Sequence, residues 1–269
     1  MQLLLNKEFA NSLEKSEVIV LNSRLTGIQE RAGNPMGVEV KKFGNATAFT
    51  AQGIPGPSYN TVKGITGDDV AYLDEIISFY QDKDIPVRFE ISPASATLEL
   101  FQRLHKQGFY QRDFHTTLYG AVNDLKVSED ASIAIRMLEQ DEFDLYAELY
   151  VRGFSMPDFL KEFVAQNNEV LHSKEQWQFY LATKEDDPVG IGVLFVKGGI
   201  GTLAAAATAP EYRNQGVHRA LVSYRIKDAK KLGCQLIVGQ ASFGSTSQCN
   251  MERAGLRIAY TKAIWEQSK

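Results

Sequence analysis

Pro210-Glu211-Tyr212-Arg213-Asn214-Gln215-Gly216-Val217-His218-Arg219-Ala220-Leu221 is the stretch on which the reading of this chain turns. It follows a run of small apolar residues, 203–209, and opens a segment with Val217, Ala220, Leu221 and Tyr224 at helical spacing. Strand, tight turn at Gly216 and helix start are therefore expected in that order. The first backbone N–H groups of a helix lack intrahelical partners and the helix dipole adds partial positive charge, so such a start can receive an anion. A glycine lets the anion come close to the backbone. From Arg213 to Lys231, six basic residues (Arg213, Arg219, Arg225, Lys227, Lys230, Lys231) face one acid, Asp228, in a chain of net charge −4. Charge alone leaves two readings open, a patch facing an anion or a solvated face with Lys230 and Lys231 complementing the helix C-terminus.

The turn narrows the choice. Arg213-x-x-Gly216-x-His218, with Ala-Pro-Glu-Tyr before it and Arg-Ala-Leu after it, resembles the acyl-CoA pyrophosphate loop of the GNAT superfamily of N-acetyltransferases, Arg/Gln-x-x-Gly-x-Gly/Ala. No Gly-Lys-Ser/Thr follows, as a Walker A loop requires, and the three glycines of a dinucleotide fingerprint are missing. His218 stands where the family has Gly or Ala, so its side chain must point away from the anion or join the contact. The resemblance implies acetyl-CoA as cosubstrate. It places Arg213, Asn214, Gln215, Gly216, Val217, His218 and Arg219 about the pyrophosphate, and the backbone of Ala207, Thr208 and Ala209 along the pantetheine arm, with an amide near Thr208 polarising the thioester carbonyl. Ser245 and Asn250 open the next helix. Ser245 reads either as its N-cap or, like Asn250, as a contact to the arm.

Acetyl transfer to an amine also needs a route for the amine proton and an acid for the leaving thiolate. Family members with a tyrosine acid carry it just before Glu-x-x-Gly, and here that position is Met251, whose thioether has no proton to give. Water, Ser245, Asn250 or Tyr260 are the alternatives. Cys249 has no adjacent base in sequence and reads as a plain thiol. Glu162, Glu169, Glu175 and Glu211 are unranked candidates for a base, and no catalytic residue is assigned. Phe143, Phe154, Phe159, Phe163 and Trp177 occupy the region that forms the family's acceptor side, and most of them are expected in the core.

The remaining sequence sets the bounds. With 269 residues, 44% hydrophobic and 23% charged, the chain can bury one large core or two ordinary ones. It has no run of about 18 apolar residues and no basic region leading into an apolar segment near its start, so a cytoplasmic protein without a membrane span is expected. Cys234 and Cys249 fit reduced thiols, four scattered histidines show no metal-ligand spacing, and the acidic balance argues against a general nucleic-acid binder.

The order of elements repeats. A helix over 68–81, a strand at 87–91, a helix over 95–106 and a Gly108-Phe109 stop before a strand match a helix from about 215, a strand at 235–239, a helix over 245–253 and a Gly255-Leu256 stop before a strand. The fold expected is α/β (α+β): two GNAT-like domains, residues 1–122 and 133–269, each a mixed, mostly antiparallel sheet flanked by helices and joined by the linker 123–132. Where the second half has Arg213-x-x-Gly216, the first has Lys63-Gly-Ile-Thr-Gly67-Asp-Asp, whose carboxylates would repel a pyrophosphate, so the first domain is expected to lack a cofactor site. The function expected is acetyl transfer from acetyl-CoA to a primary amine of a small molecule or peptide, in a ternary complex, by a monomer or homodimer. A non-catalytic CoA-binding regulator or scaffold is the alternative, and a nucleotide-binding protein using the same helix start is a further one.

Overall fold

The computed structural model describes residues 4–128 and 130–267. In chain order the elements are α1 (Lys7–Gln29), β1 (Val38–Phe43), β2 (Ala46–Ala51), β3 (Thr61–Lys63), α2 (Leu73–Gln81), β4 (Arg88–Ile91), α3 (Leu98–Lys106), β5 (Phe109–Ala121), β6 (Ala134–Met137), α4 (Phe143–Gly153), α5 (Lys161–His172), β7 (Trp177–Lys184), β8 (Asp187–Lys197), β9 (Ile200–Thr208), α6 (Val217–Lys231), β10 (Leu236–Ser242), α7 (Thr246–Arg253) and β11 (Arg257–Gln267). They divide into two compact units, one built from the residues up to Thr117 together with those from Ala259 onward, the other from Leu118–Ile258. The expected second domain, 133–269, thus differs from the second unit at both ends, since that unit takes in the expected linker, 123–132, and starts at Leu118. Most of β11 lies with the first unit because its residues Ala263, Ile264 and Trp265 pair antiparallel with Ile91, Glu90 and Phe89 of β4.

In the first unit the strand order is β1-β2-β3-β4-β11. β1, β2 and β3 form antiparallel pairs, and β3 meets β4 in parallel at the single pair Val62–Phe89. So short a strand, Thr61–Lys63, gives no alternation to read, and the sequence does not signal it. α1 begins at the Asn6 cap, whose side chain accepts from Phe9 N at 2.8 Å, and runs to Gln29, with Leu25 and Ile28 continuing its buried face. The core gathers Leu73, Ile76, Tyr80, Phe89, Leu100 and Phe109.

Three carboxylates and two ammonium groups lie inside this unit. Lys262 of β11 bonds Glu90 at 2.7 Å and pairs with Glu17, while Lys63 reaches Glu90 at 2.5 Å. Burial opposes the charge on Glu17 and Glu90, but the two ammonium groups outweigh it and hold both carboxyls below their usual range. Glu14, one turn from Glu17, is pushed up to about 7 by burial and by the Glu17 charge.

In the second unit the order is β10-β9-β8-β7-β6, antiparallel from β9 to β6 and parallel between β9 and β10. Leu194, Leu203, Val217, Leu221, Ile226, Ile237 and Met251 fill the core under α6 and α7. α4 covers the opposite face, where a Cβ on Gly153 would collide with Ala207 Cβ.

Candidate active site

The site begins where two parallel strands part. β9 and β10 pair from Ile200–Leu236 to Leu203–Gly239, and both strands then continue, β9 to Thr208 and β10 to Ser242, without further partners between them. A bulge in β9 sets what faces this opening. Val193 of β8 pairs with Ala205 and Leu194 with Leu203, which leaves Ala204 unmatched. Beyond the bulge the register with β8 is unbroken, and Ala209 N–H donates to Val189 O at 2.9 Å. Hydrogen-bonded and non-bonded pairs alternate in an antiparallel ladder, so Ala207 turns its polar backbone and Ala209 its N–H toward β8 while Ala206 and Thr208 turn theirs toward the opening. Of the three residues expected along a ligand arm, Thr208 is therefore the one whose backbone is available. Ala207 spends its backbone on β8, Ala209 spends its N–H on Val189 O and its C=O on Tyr212 N, and Ala206 takes the second place. A run of four alanines carries no phase, so this choice was not legible in the sequence.

The strand leads to the expected turn. Asn214 and Gly216 adopt positive φ, 63° and 87°, and glycine is the residue that tolerates this conformation without strain just before a helix. α6 has no side-chain cap, and its first intrahelical bond is Ala220 N to Gly216 O, so the N–H groups of Val217, His218 and Arg219 point out of the helix start without helical acceptors. Side chains brace the turn from outside. Arg213 Nη2 donates to Gly153 O at 2.8 Å, Gln215 Nε2 to Glu211 O at 3.0 Å, Lys184 Nζ to Gln215 Oε1 at 2.7 Å, and Arg152 pairs with Glu211. The Asp130 carboxylate lies beside the turn, with Oδ2 3.1 Å from where a Cβ on Gly216 would stand, and its bonds from Ser132 hold its pKa down.

His218 points to α7. Asn250 Nδ2 donates to its Nδ1 at 3.1 Å and Ser247 Oγ lies 3.5 Å from its Nε2. Burial and the Arg225 charge lower its pKa to about 4, so the imidazole is neutral at ordinary pH. This departure from the loop pattern therefore leaves the turn's amides free. Ser245 is the N-cap of α7, accepting from Gln248 N at 3.2 Å, and Asn250 Oδ1 accepts from Arg253 at 2.9 Å. Both are engaged within the protein.

The catalytic candidates fare differently. Met251 is buried, and a Cβ on Gly239 would collide with its sulfur. Tyr260 falls in the first unit, buried near Glu17 and Lys262. Glu162, Glu169 and Glu175 are exposed, and Glu211 is exposed and paired. Phe143 and Trp177 are core residues as expected, but Phe154 and Phe159 in the α4–α5 connection and Phe163 in the first turn of α5 are 47%, 73% and 41% exposed. Two polar side-chain atoms near the opening, Thr208 Oγ1 and Gln240 Nε2, are buried and have no hydrogen-bond partner. Gln240 was not anticipated, since a glutamine inside an apolar strand pattern reads as its solvent face.

The sequence of residues 141–246, which spans the opening and the turn, matches the acetyltransferase (GNAT) family. This segment is a GNAT acetyltransferase domain. Solved structures with a similar fold cover both units. A GCN5-related N-acetyltransferase from Kribbella flavida superposes with a TM-score of 0.62 at 14% identity over 93% of this chain and 95% of its own. A tandem GNAT protein from the clavulanic acid biosynthesis pathway gives 0.63 at 11% identity, over 91% and 86% of the two chains. A conserved protein of unknown function from Staphylococcus epidermidis gives 0.63 at 13% identity, over 87% and 96%. At these identities the likeness is one of fold. No curated protein matches the sequence. No helix among the described residues is long and apolar enough to cross a membrane, and no cluster of His, Cys, Asp or Glu among them can hold a metal ion.

The counterpart of the GNAT turn in the first unit is closed by its own side chains. Thr66 caps the helical segment that begins at Gly67, and Asp69 accepts from Thr66 N and from Asn45 N, both at 2.8 Å. The Asp69 carboxylate thus holds the place at the helix start that an external anion would take. Past Val62–Phe89, where β3 and β4 part, the Lys63–Glu90 ion pair spans the strands.

Proposed function

We propose that this protein transfers an acetyl group from acetyl-CoA to a primary amine of a small molecule or peptide, by direct attack within a ternary complex in the second unit. The observation that carries this reading is the opening beyond Leu203–Gly239, lined on β9 by the free backbone groups of Ala206 and Thr208 and leading to the uncapped start of α6. An extended amide-bearing arm can pair with Ala206 and Thr208 as a missing strand would. Its pyrophosphate then meets the N–H groups of Val217, His218 and Arg219. The small side chains of residues 204–207 leave room for the arm.

In the reaction the amine nitrogen attacks the thioester carbon, and a β9 amide stabilises the developing oxyanion. The carbon–sulfur bond then breaks, the acetyl group stays on nitrogen, and the sulfur takes up a proton as the amine loses one. Met251 is buried and its thioether has no proton to give, so in this reading water carries both protons. The first unit, with Asp69 and the Lys63–Glu90 pair in place of a ligand, does not bind acetyl-CoA. In keeping with two free thiols and the absence of a membrane helix among the described residues, the protein works in the cytoplasm.

The same Met251 favours one other reading, a CoA-binding regulator without turnover. Release of free thiol from acetyl-CoA, followed over a panel of polyamines, amino acids, aminoglycosides and peptide N-termini, separates the two. Turnover on one acceptor supports the transferase, and tight CoA binding with no turnover on any amine supports the regulator.

A further inference from the structure

Arg225 is among the largest fully buried side chains of the described residues, at 2% exposure. Burying a guanidinium is costly unless it is paired or fully hydrogen-bonded. Yet no carboxylate among the described residues lies within ion-pair distance of it. Its partners are backbone carbonyls: Nε donates to Leu221 O at 3.0 Å, and Nη1 to Val193 O at 3.2 Å and Ala205 O at 2.9 Å. β8 makes space for it with glycine, since a Cβ on Gly192 would stand 3.3 Å from Arg225 Cδ and Nε. Burial lowers the Arg225 pKa only to about 10, so the group stays charged at neutral pH.

Val193 and Ala205 are the last matched pair before the register slips at Ala204. One guanidinium nitrogen therefore bonds the two carbonyls at the β9 bulge, one on each strand. A one-residue slip in a strand exchanges which residues face its neighbour and which face away. Without the bulge, Ala207 rather than Ala206 and Thr208 would present its backbone to the opening.

We propose that Arg225 is a positioning residue that pins the β9 bulge and thereby fixes which backbone groups meet the thioester-bearing arm. The part of this that concerns the arm rests on the acetyl-CoA reading above. The part that concerns the bulge does not. A guanidinium is suited to the task because Nη1 carries two donors for the two strand carbonyls while Nε stays bonded to Leu221 O, a spread of donors that an ammonium lacks.

The test uses the full-length protein with Arg225→Met, which keeps the buried volume, and Arg225→Lys, which keeps the charge. Amide hydrogen exchange across residues 204–209 of Arg225→Met is expected to speed up about tenfold relative to the rest of the second unit. Its Kd for CoA is expected to rise about tenfold, while adenosine 3′,5′-diphosphate, which lacks the arm and reads only the turn, binds within about twofold of wild type. A purely structural role would weaken both ligands together. Arg225→Lys recovers part of both effects and serves alone, with the same expected directions, should Arg225→Met fail to fold. Unchanged exchange at 204–209, or equal weakening of CoA and the diphosphate, overturns the proposal. Failure of wild type to bind CoA would instead remove the transferase reading, with the exchange measurement still deciding the role of Arg225 at the bulge.

Discussion

The sulfur of Met251 occupies the volume that a side chain at Gly239 would need. This contact ties α7 to the last residue of β10 that pairs with β9, so it fixes the edge of the opening as well as filling the core. Gly239→Ala is expected to cost about 1–3 kcal/mol by overpacking. Met251→Ala alone leaves a cavity and costs about 2–5 kcal/mol. The double variant should be less destabilised than the sum of the two, because each change relieves the other. Urea unfolding of the four proteins measures this, and strict additivity would show that the two residues are not in contact.

Gly216→Asp is expected to abolish CoA binding with the fold retained. It places a negative side chain at the anion position and forces a non-glycine residue to φ 87°. Calorimetry with CoA, with circular dichroism as the control, reads both. Undiminished affinity would remove the turn from the ligand site.

Asp130 acts on the same turn from the linker. Its carboxylate stands beside Gly216 and repels any phosphate there. Two charges about 4 Å apart in water interact by about 1 kcal/mol, so Asp130→Asn is expected to tighten CoA binding about fivefold at low salt and less at high salt. A titration at two ionic strengths checks it, and an unchanged Kd at low salt counts against the placement.

The buried Glu14 makes stability depend on pH. Its carboxyl titrates at about 7 in the folded protein against an ordinary 4.5, so between these values the folded state binds more protons than the unfolded one. Stability from this group is present at low pH and lost as pH rises through 7, with a slope of at most about 1.4 kcal/mol per unit. Glu14→Gln should be more stable than wild type at pH 8, and the gap should close toward pH 5. Urea midpoints at the two pH values decide it, and a gap that does not vary with pH would mean that Glu14 titrates normally.

His218 contributes nothing to a pH profile near neutrality, because it is uncharged above about 4. His218→Asn should therefore alter CoA affinity by the same factor at pH 5.5 and pH 8. A difference confined to the acidic measurement would reveal a protonated imidazole.

The turn at Arg213–Gly216 and the helix after it were legible because their signals are local: a glycine, a basic flank and apolar residues three and four apart. What the sequence hid is non-local. Arg225 lies in a helix rich in Lys and Arg and reads as one more solvated cation, although it is buried. Glu14 and Glu17 read as the wet face of α1, although Lys63 and Lys262 draw the second of them inside. The pairing of β11 with β4 depends on contacts across more than 150 residues, which no window of sequence contains. The phase of β9 depends on a bulge in a stretch of alanines.

The place of β11 bears on how the chain comes to be folded. Lys262 neutralises Glu17 and Glu90 inside the first unit, and residues 263–266 pair with β4, yet these residues leave the ribosome after the whole of the second unit. Until they arrive, two buried carboxylates share only Lys63 and one edge of β4 lacks its partner. The unit that is synthesised first is thus the one finished last.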